Sequence, residues 1–170
     1  MSQQGYRVIY IDEICVTKST IPTHEYSPLK QPIEIDLKYF SNKTIAVIAG
    51  ISKTKGVEFA LTYKKSVNIE KFTEFLKRVR QKNPFDKIAL FMDRLSVHTS
   101  KKAIKKMELY KIRPIYNSAY SPDYNPIENV FSIVKRRIKT ERLRLFANNQ
   151  QEDLTMIIKE EFGKVEIETC

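Results

Sequence analysis

The chain has 170 residues, with 30 Lys and Arg against 20 Asp and Glu, and therefore carries a net charge of +10. This length is typical of one domain, and a hydrophobic share of 42% is typical of a globular protein and excludes a disordered one. The excess of basic residues favours a polyanionic partner, either nucleic acid or an anionic membrane face. A basic protein without such a partner is the alternative.

Targeting signals and membrane spans are not expected. No apolar run approaches the about 18 residues of a transmembrane helix, and the first residues, MSQQGYR, lack the apolar core of a signal peptide. Cys15 and Cys170 have no metal-ligand spacing, and two cysteines without a signal indicate a reducing compartment. We therefore expect an intracellular protein with no membrane partner.

Three strands and a helix are predicted in the first half of the chain. Residues 7–16, 43–51 and 57–63 are rich in β-branched and other apolar residues, and the second and third runs are close enough to form a hairpin. Asn68 is expected to cap the following helix, whose apolar residues recur at helical spacing until the chain reaches Pro84.

The segment 17–43 differs in composition from its surroundings. It contains three prolines and several Ser and Thr, which predicts a long excursion with a short strand near residues 32–37. An excursion of this length within a compact domain is usually functional or disordered. We expect this insert to clamp a partner chain or to cover a groove.

Strands alternate with helices in the second half. Residues 87–93 form a continuous apolar run, typical of a central strand covered on both faces, and residues 94–99 are predicted to be a loop. Residues 111–116 form a short strand, in which Pro114 indicates an edge of the sheet.

Three helices are predicted in this half. Thr99 or Ser100 caps the first, Asn125 and Pro126 begin the second, and residues 154–162 form the last. The order of elements predicts an α/β fold, with a mixed five-stranded sheet flanked by helices. Its first three strands fit an antiparallel meander, and its first and fourth strands can be neighbours.

Three carboxylates stand out against these elements. Asp12 and Glu13 interrupt the first apolar strand, where a buried carboxylate is costly unless it is paired or bound to metal. Because successive strand residues face opposite sides, only one of the two can belong to a given site. Asp93 closes the fourth strand and Glu128 lies in the first turn of a helix, so that neighbouring first and fourth strands would bring the carboxylates together.

Converging carboxylates indicate a metal site on this basic protein. Without metal they would repel one another and raise one another's pKa values. Mg²⁺ or Mn²⁺ removes this conflict, because hard cations prefer oxygen ligands. Two such ions about 3.5–4 Å apart can activate a nucleophile and stabilise a leaving oxygen. The basic composition then points to a phosphodiester as the substrate.

A basic track follows Glu128 along its helix. Ser132, Lys135, Arg136 and Lys139 lie at i+4, i+7, i+8 and i+11, on the same side as Glu128 and beside the apolar stripe. We call Lys135, Arg136 and Lys139 the basic track. Such a track beside a metal site suits the backbone of a nucleic acid.

Each of these residues also has a structural interpretation. Asp93 could be a turn residue at a strand end, and Glu128 could simply favour the helix dipole. His98 could be a metal neighbour or a substrate contact, although a lone His is more often structural. Residues 135–137 could be a solvated face or a localisation patch. Only the conjunction of the three carboxylates favours catalysis.

Three motifs resemble the DDE transposases of the mariner superfamily and the related bacterial insertion-sequence transposases, which are DDE superfamily endonucleases. YIDEICV resembles the strand with the first catalytic Asp, and FMDRLSVHTSKK resembles the second motif. YSPDYNPIENVFSIVKRRIK closely resembles the third. Residues 94 to 127 give the 34-residue spacing of the branch whose third ligand is Glu. The resemblance spans essentially the whole chain.

This resemblance implies a ribonuclease-H-like fold, with Asp12, Asp93 and Glu128 as the catalytic ligands of two Mg²⁺ or Mn²⁺ ions. It implies cleavage at transposon ends, followed by attack of a 3′-hydroxyl on target DNA. Such a protein would work in the nucleus of a eukaryote or in the cytoplasm and nucleoid of a bacterium. It also implies that the insert helps two copies to form a homodimer.

Basic residues and one histidine are expected to contact the DNA. The expected contacts are Arg94, His98, Lys101, Lys102, Lys135, Arg136, Arg137 and Lys139. Arg94 departs from the family pattern, because it replaces the usual Asn beside the second Asp. A cation there could help hold DNA or could weaken metal binding.

The sequence therefore predicts a single DDE catalytic domain over residues 1–170, a metal-dependent endonuclease and strand transferase. No N-terminal helix-turn-helix region is recognised, so we expect a fragment, a relic, or one half of a split enzyme that needs a separate helix-turn-helix subunit for activity. The alternative is a catalytically impaired or domesticated DNA-binding or assembly module. A nuclease of the same fold acting on RNA–DNA hybrids is less favoured.

Overall fold

The computed structural model describes residues 5–20, 40, 42–118 and 125–165. Within these ranges the chain forms five strands and five helices, which alternate in the second half as the sequence predicts. The strands are β1 (Arg7–Val16), β2 (Ile45–Ser52), β3 (Gly56–Lys64), β4 (Ile88–Met92) and β5 (Ile112–Tyr116). The helices are α1 (Ile69–Lys82), α2 (Ser96–Thr99), α3 (Lys101–Leu109), α4 (Ile127–Ala147) and α5 (Leu154–Gly163).

The strands form one mixed sheet in the order β3-β2-β1-β4-β5. β1, β2 and β3 pair antiparallel, whereas β1 pairs parallel with β4 and β4 pairs parallel with β5. The predicted meander, the predicted pairing of the first and fourth strands and the edge position of Pro114 are therefore confirmed. Because β1 and β4 run parallel, residues in the second half of each strand lie toward the same end of the sheet.

The sheet is covered on both faces, as the uninterrupted apolar runs predict. On one face, Ile14 and Val16 of β1 pack with buried residues of α4 and α5. On the other face, Ile9 and Ile11 pack with buried residues of α1 and α3. The alternation along β1 thus decides which side chain faces α4 and which faces α1.

Capping residues set the helix ends, with two departures from prediction. Asn68 accepts from the backbone N–H of Lys71 at 3.0 Å, and Ser100 caps α3 as expected. α4 begins one residue later than predicted, with Pro126 at the N-cap and no side-chain cap. The predicted loop 94–99 is also wrong in part, because Ser96–Thr99 forms a short helix closed by local backbone hydrogen bonds.

One buried arginine, Arg142 on α4, contacts residues near both ends of the insert. Its Nη1 donates to the carbonyl oxygens of Thr17 at 2.8 Å and Thr20 at 2.7 Å, and its guanidinium lies 5.0 Å from the ring centroid of Phe40. Its Nε donates to Glu152 at 3.0 Å. The predicted strand near 32–37 and the clamp itself lie outside the described residues.

No helix in the described part of the chain is long and apolar enough to cross a membrane.

Candidate metal centre and nucleic-acid surface

The neighbours Asp12 and Glu13 lie in the middle of β1 and serve different faces of the sheet. Asp12 shares its face with Ile14 and Val16, and this face is covered by α4. Glu13 points to the opposite face, where it meets His98. The sequence left the choice between Asp12 and Glu13 open until the family resemblance was considered, and the structure explains why only one of them can face Glu128.

Asp93 follows the last residue of β4, beside the strand that carries Asp12. Its Oδ1 accepts from the backbone N–H of Leu95 at 3.2 Å and lies 2.7 Å from Nδ1 of His98. Because β1 and β4 are parallel neighbours, Asp93 emerges at the end of the sheet where Asp12 lies. This carboxylate remains partly exposed, with 43% of its side-chain surface accessible to solvent.

Glu128 lies in the first turn of α4, over the face of the sheet that carries Asp12. The start of this helix is tied to β1, because the side-chain amide of Asn125 donates to the carbonyl oxygen of Ile11 at 3.3 Å. The buried stripe of α4, which includes Val130 and Phe131, fixes the helix against the sheet. These contacts place Glu128 close to Asp12, although the two residues are far apart in the sequence.

The pKa of Asp12 reports how closely the three carboxylates approach. The pKa of Asp12 is raised from its ordinary value of 3.8 to about 7, most strongly by burial, while a hydrogen bond from the backbone N–H of Glu13 opposes the rise. The negative charges of Asp93 and Glu128, and a hydrogen bond with the Glu128 carboxyl, contribute the rest of the rise. Asp93 and Glu128 therefore each interact electrostatically with Asp12 in the folded chain.

The three carboxylates are not arranged as ligands of one shared metal ion. Among the described residues, no group of three or more His, Cys, Asp and Glu side chains is arranged to hold one metal ion. Their charges nevertheless raise the pKa of Asp12, and a divalent cation near Asp12 would relieve that repulsion. The oxygen donors and this unrelieved repulsion fit Mg²⁺ or Mn²⁺, which commonly bind through one or two carboxylates plus water and substrate phosphate oxygens.

His98 is buried and lies between two carboxylates. Its Nδ1 faces Asp93, its Nε2 lies 3.1 Å from Oε1 of Glu13, and its ring lies against Phe72 with centroids 4.6 Å apart. Burial lowers the pKa of His98, but the hydrogen bond and charge of Glu13, together with Asp93, raise it overall. The sequence predicted that His98 contacts DNA. A histidine that is 1% exposed and has a partner at both ring nitrogens is not placed to make that contact.

Arg94 is exposed and turns toward the last strand. Its guanidinium carbon lies 5.5 Å from the centroid of the Tyr116 ring, close enough for a cation–π contact. Burial raises the pKa of Tyr116, and the positive charge of Arg94 opposes that rise. Arg94 is not among the groups whose charge shifts the pKa of Asp12.

The expected basic contacts lie on both faces of the sheet. Lys101 and Lys102 are exposed at the start of α3, where Lys102 pairs with Glu70 at 3.0 Å. The basic track lies on α4, which covers the opposite face, and its members are exposed or half-buried. Arg137 turns away toward α5, because its Nη1 donates to the carbonyl oxygen of Lys164 at 3.2 Å.

Two residues of this architecture were missed from the sequence. Glu13 was considered only as a rival of Asp12, although its place on the opposite face made a second role possible. Arg142 stands four residues after buried Ile138 on the stripe of α4 and is fully buried. A charged residue continuing an apolar stripe was the signal that could have revealed it.

Comparison with known proteins agrees with this arrangement. The family model described as DDE superfamily endonuclease matches residues 7–152, which include all five strands and the three carboxylates. The chain belongs to the DDE superfamily endonucleases. A search of curated proteins found no match.

Solved structures share this fold at low sequence identity. The Mos1 transposase paired-end complex with left transposon end matches with a TM-score of 0.71 and 17% identity, over 97% of this chain and 50% of that chain. The catalytic domain of Mos1 mariner transposase matches with a TM-score of 0.61 and 16% identity, over 96% of this chain and 73% of that chain. The sheet is therefore the ribonuclease-H-like sheet predicted from the motifs.

One chain in the structure of a viral assembly also has this fold. The simian T-cell lymphotropic virus intasome in complex with a PP2A regulatory subunit matches with a TM-score of 0.65 and 11% identity, over 92% of this chain and 46% of that chain. The present chain thus spans about half the length of the first Mos1 chains and of the matched chain in this assembly.

Proposed function

We propose that this chain is the catalytic domain of a DDE transposase, which cleaves and joins DNA strands with divalent metal ions. The observation that supports this proposal is that Asp93 and Glu128 both interact with Asp12 at one end of the sheet: the pKa of Asp12 is raised to about 7, mainly by burial and then by these two carboxylates. Membership in the DDE endonuclease family and the fold shared with transposase chains support the same function.

Two metal ions suit the arrangement better than one. Asp12 interacts with both of the other carboxylates. Asp12 and Asp93 would therefore hold one ion, and Asp12 and Glu128 would hold the other. Each ion then needs only two protein carboxylates, with water and phosphate oxygens completing its shell. Bound metal would supply a nucleophilic oxygen and stabilise the leaving oxygen of an in-line displacement.

The chemistry proposed is phosphodiester transfer without a covalent protein intermediate. In cleavage, the oxygen of a water molecule forms a bond to phosphorus, the bond between phosphorus and the bridging O3′ breaks, and the leaving oxygen takes up a proton as a 3′-hydroxyl. In joining, the oxygen of that 3′-hydroxyl loses its proton and forms a bond to a phosphorus of a second DNA, while the P–O3′ bond of that second strand breaks and its O3′ leaves as a new 3′-hydroxyl. We assign the contact with the DNA backbone to the basic track.

The DNA would lie along α4, beginning at Glu128. The basic track continues along the helix from the carboxylate, and an α-helix rises 1.5 Å per residue, so Lys139 lies roughly 16 Å from Glu128 along the helix axis. With one phosphate per about 3.4 Å of duplex axis on each strand, about five phosphates of one strand span that distance. This contact carries no sequence information, and recognition of a transposon end would need another surface or a separate helix-turn-helix region.

The test is cleavage of labelled DNA by the chain with Mn²⁺ or Mg²⁺. We expect nicking that requires metal and that falls by at least about a thousandfold in Asp93→Asn and Glu128→Gln, which keep shape but remove charge. Glu141→Gln, on the same helix but paired with Arg144, is the matched control and should retain activity. Nicking that survives both site substitutions would refute the proposal. Salt-sensitive DNA binding without cleavage would instead support a module that has lost catalysis.

A further inference from the structure

We propose that His98, held from its far side by Glu13, is a positioning residue that orients the Asp93 carboxylate toward the metal site. This inference rests on the proposed function, in which Asp93 binds a metal ion. It assigns to Glu13 and His98 a role distinct from the DNA contact expected of His98. The contacts of the two Asp93 oxygens carry the argument.

The oxygens of Asp93 are used unequally. Oδ1 accepts the backbone N–H of Leu95 at 3.2 Å and faces Nδ1 of His98 at 2.7 Å. Two partners on one oxygen fix the rotation of the carboxyl group about its bond to the chain. Oδ2 has no such partner among the described residues, and it is the oxygen left to coordinate a cation. A carboxylate with 43% of its side chain exposed would otherwise be free to rotate.

His98 itself is held rigidly. The ring is 1% exposed and lies against Phe72 at a centroid distance of 4.6 Å. The backbone N–H of His98 donates to the carbonyl oxygen of Leu95 at 2.9 Å, and the hydroxyl of Tyr116 donates to the carbonyl oxygen of His98 at 3.4 Å. A rigid imidazole restricts the orientation of the Asp93 carboxylate, whereas a mobile imidazole would restrict it little.

Glu13 completes the chain of contacts from the neighbouring strand. Its Oε1 lies 3.1 Å from Nε2 of His98, and 16% of its side chain is exposed. Glu13 is adjacent to Asp12 on β1, so the same short stretch supplies one candidate metal ligand directly and orients another through His98. Partners of this kind behind a ligand typically change metal affinity by about 10- to 100-fold.

The test measures Mn²⁺ binding directly, by titrating the whole chain and following free Mn²⁺ by electron paramagnetic resonance. We expect His98→Leu and Glu13→Ala to weaken binding by about 10- to 100-fold. The conservative variants should rescue it. His98→Asn places an amide N–H near the position of Nδ1, and Glu13→Gln keeps an oxygen facing the ring, so each should stay within about threefold of wild type.

Urea unfolding of every variant separates positioning from stability. Glu152→Gln, which perturbs a buried carboxylate paired with Arg142, is the matched control and should lose stability without losing Mn²⁺ affinity. Wild-type affinity in folded His98→Leu, or equal losses in His98→Leu and His98→Asn, would overturn the inference. Asp93→Asn reports on the proposed function alone, because unchanged Mn²⁺ binding in that variant would refute the metal site itself.

Discussion

Replacing Asp12 by Asn should make the metal-free chain more stable at neutral and alkaline pH while abolishing catalysis. The pKa of Asp12 is raised from 3.8 to about 7, mainly by burial and then by its carboxylate neighbours. Between those values the folded chain keeps a proton that the unfolded chain releases, so stability falls as pH rises from about 4 to about 7. Above about pH 7, Asp12 is ionised in the folded chain and the full loss of stability is present. The neutral side chain of Asn avoids this loss.

The size of this gain follows from the same two pKa values. At 1.36 kcal/mol per unit, the rise from 3.8 to about 7 corresponds to at most about 4 kcal/mol. Asp12 is half-buried, and solvent screening reduces the figure to about 2 to 4 kcal/mol. Stability lost to the burial and mutual repulsion of site carboxylates is common in catalytic arrangements.

Urea unfolding in EDTA at pH 4 and at pH 8 measures the effect. We expect Asp12→Asn to match wild type at pH 4 and to exceed it by about 2 to 4 kcal/mol at pH 8. Asp153→Asn is a matched control, because Asn caps a helix about as well as Asp and should change stability by less than about 1 kcal/mol. Mn²⁺ should stabilise wild type but not Asp12→Asn. An equal free energy of unfolding at pH 8 would refute the reasoning.

Three further predictions concern the anchor of the insert, the unusual arginine and the basic track. Arg142→Met should cost about 3 to 5 kcal/mol in urea unfolding, because Glu152 is left buried without its partner, and adding Glu152→Gln should recover part of this loss. Arg94→Asn should leave Mn²⁺ affinity unchanged, since its guanidinium lies over Tyr116, and a tenfold change would contradict that placement. Replacing all three residues of the basic track by Gln should reduce the slope of log affinity for DNA against log salt by about 2 to 3. Lys53→Gln in the β2–β3 turn should change that slope by less than about 1.

Local chemistry made most of the elements predictable. β1 was predicted over its full length, since RVIYIDEICV is rich in β-branched residues, and Asn68 marked the start of α1 because its side chain caps the helix. Errors occurred where the chain has no periodic signal. α2 is a single turn after Asp93, too short for an apolar stripe to reveal, and α4 begins one residue late because Pro126 occupies its N-cap.

The candidate site was predictable only as a set of residue types. The sequence placed Asp12, Asp93 and Glu128 in or beside three separate elements, and the spacing and motifs indicated their common role. Which carboxylates belong together depends on the face of β1 that each occupies, and only the packing of α4 on one face and α1 on the other decides this. Glu13 and Asp12 are chemically similar neighbours, yet the sheet directs them to opposite sides.

Motif and composition together predicted the family and the fold, which are confirmed, and they pointed to three candidate carboxylates, because these properties follow from local patterns along the chain. Tertiary structure alone decided that His98 lies between Glu13 and Asp93, and that Arg142 contacts residues near both ends of the insert. Both arrangements join residues that are distant in sequence through buried polar contacts. The free energy of such contacts depends on which groups burial leaves without water, and a linear pattern does not contain that information.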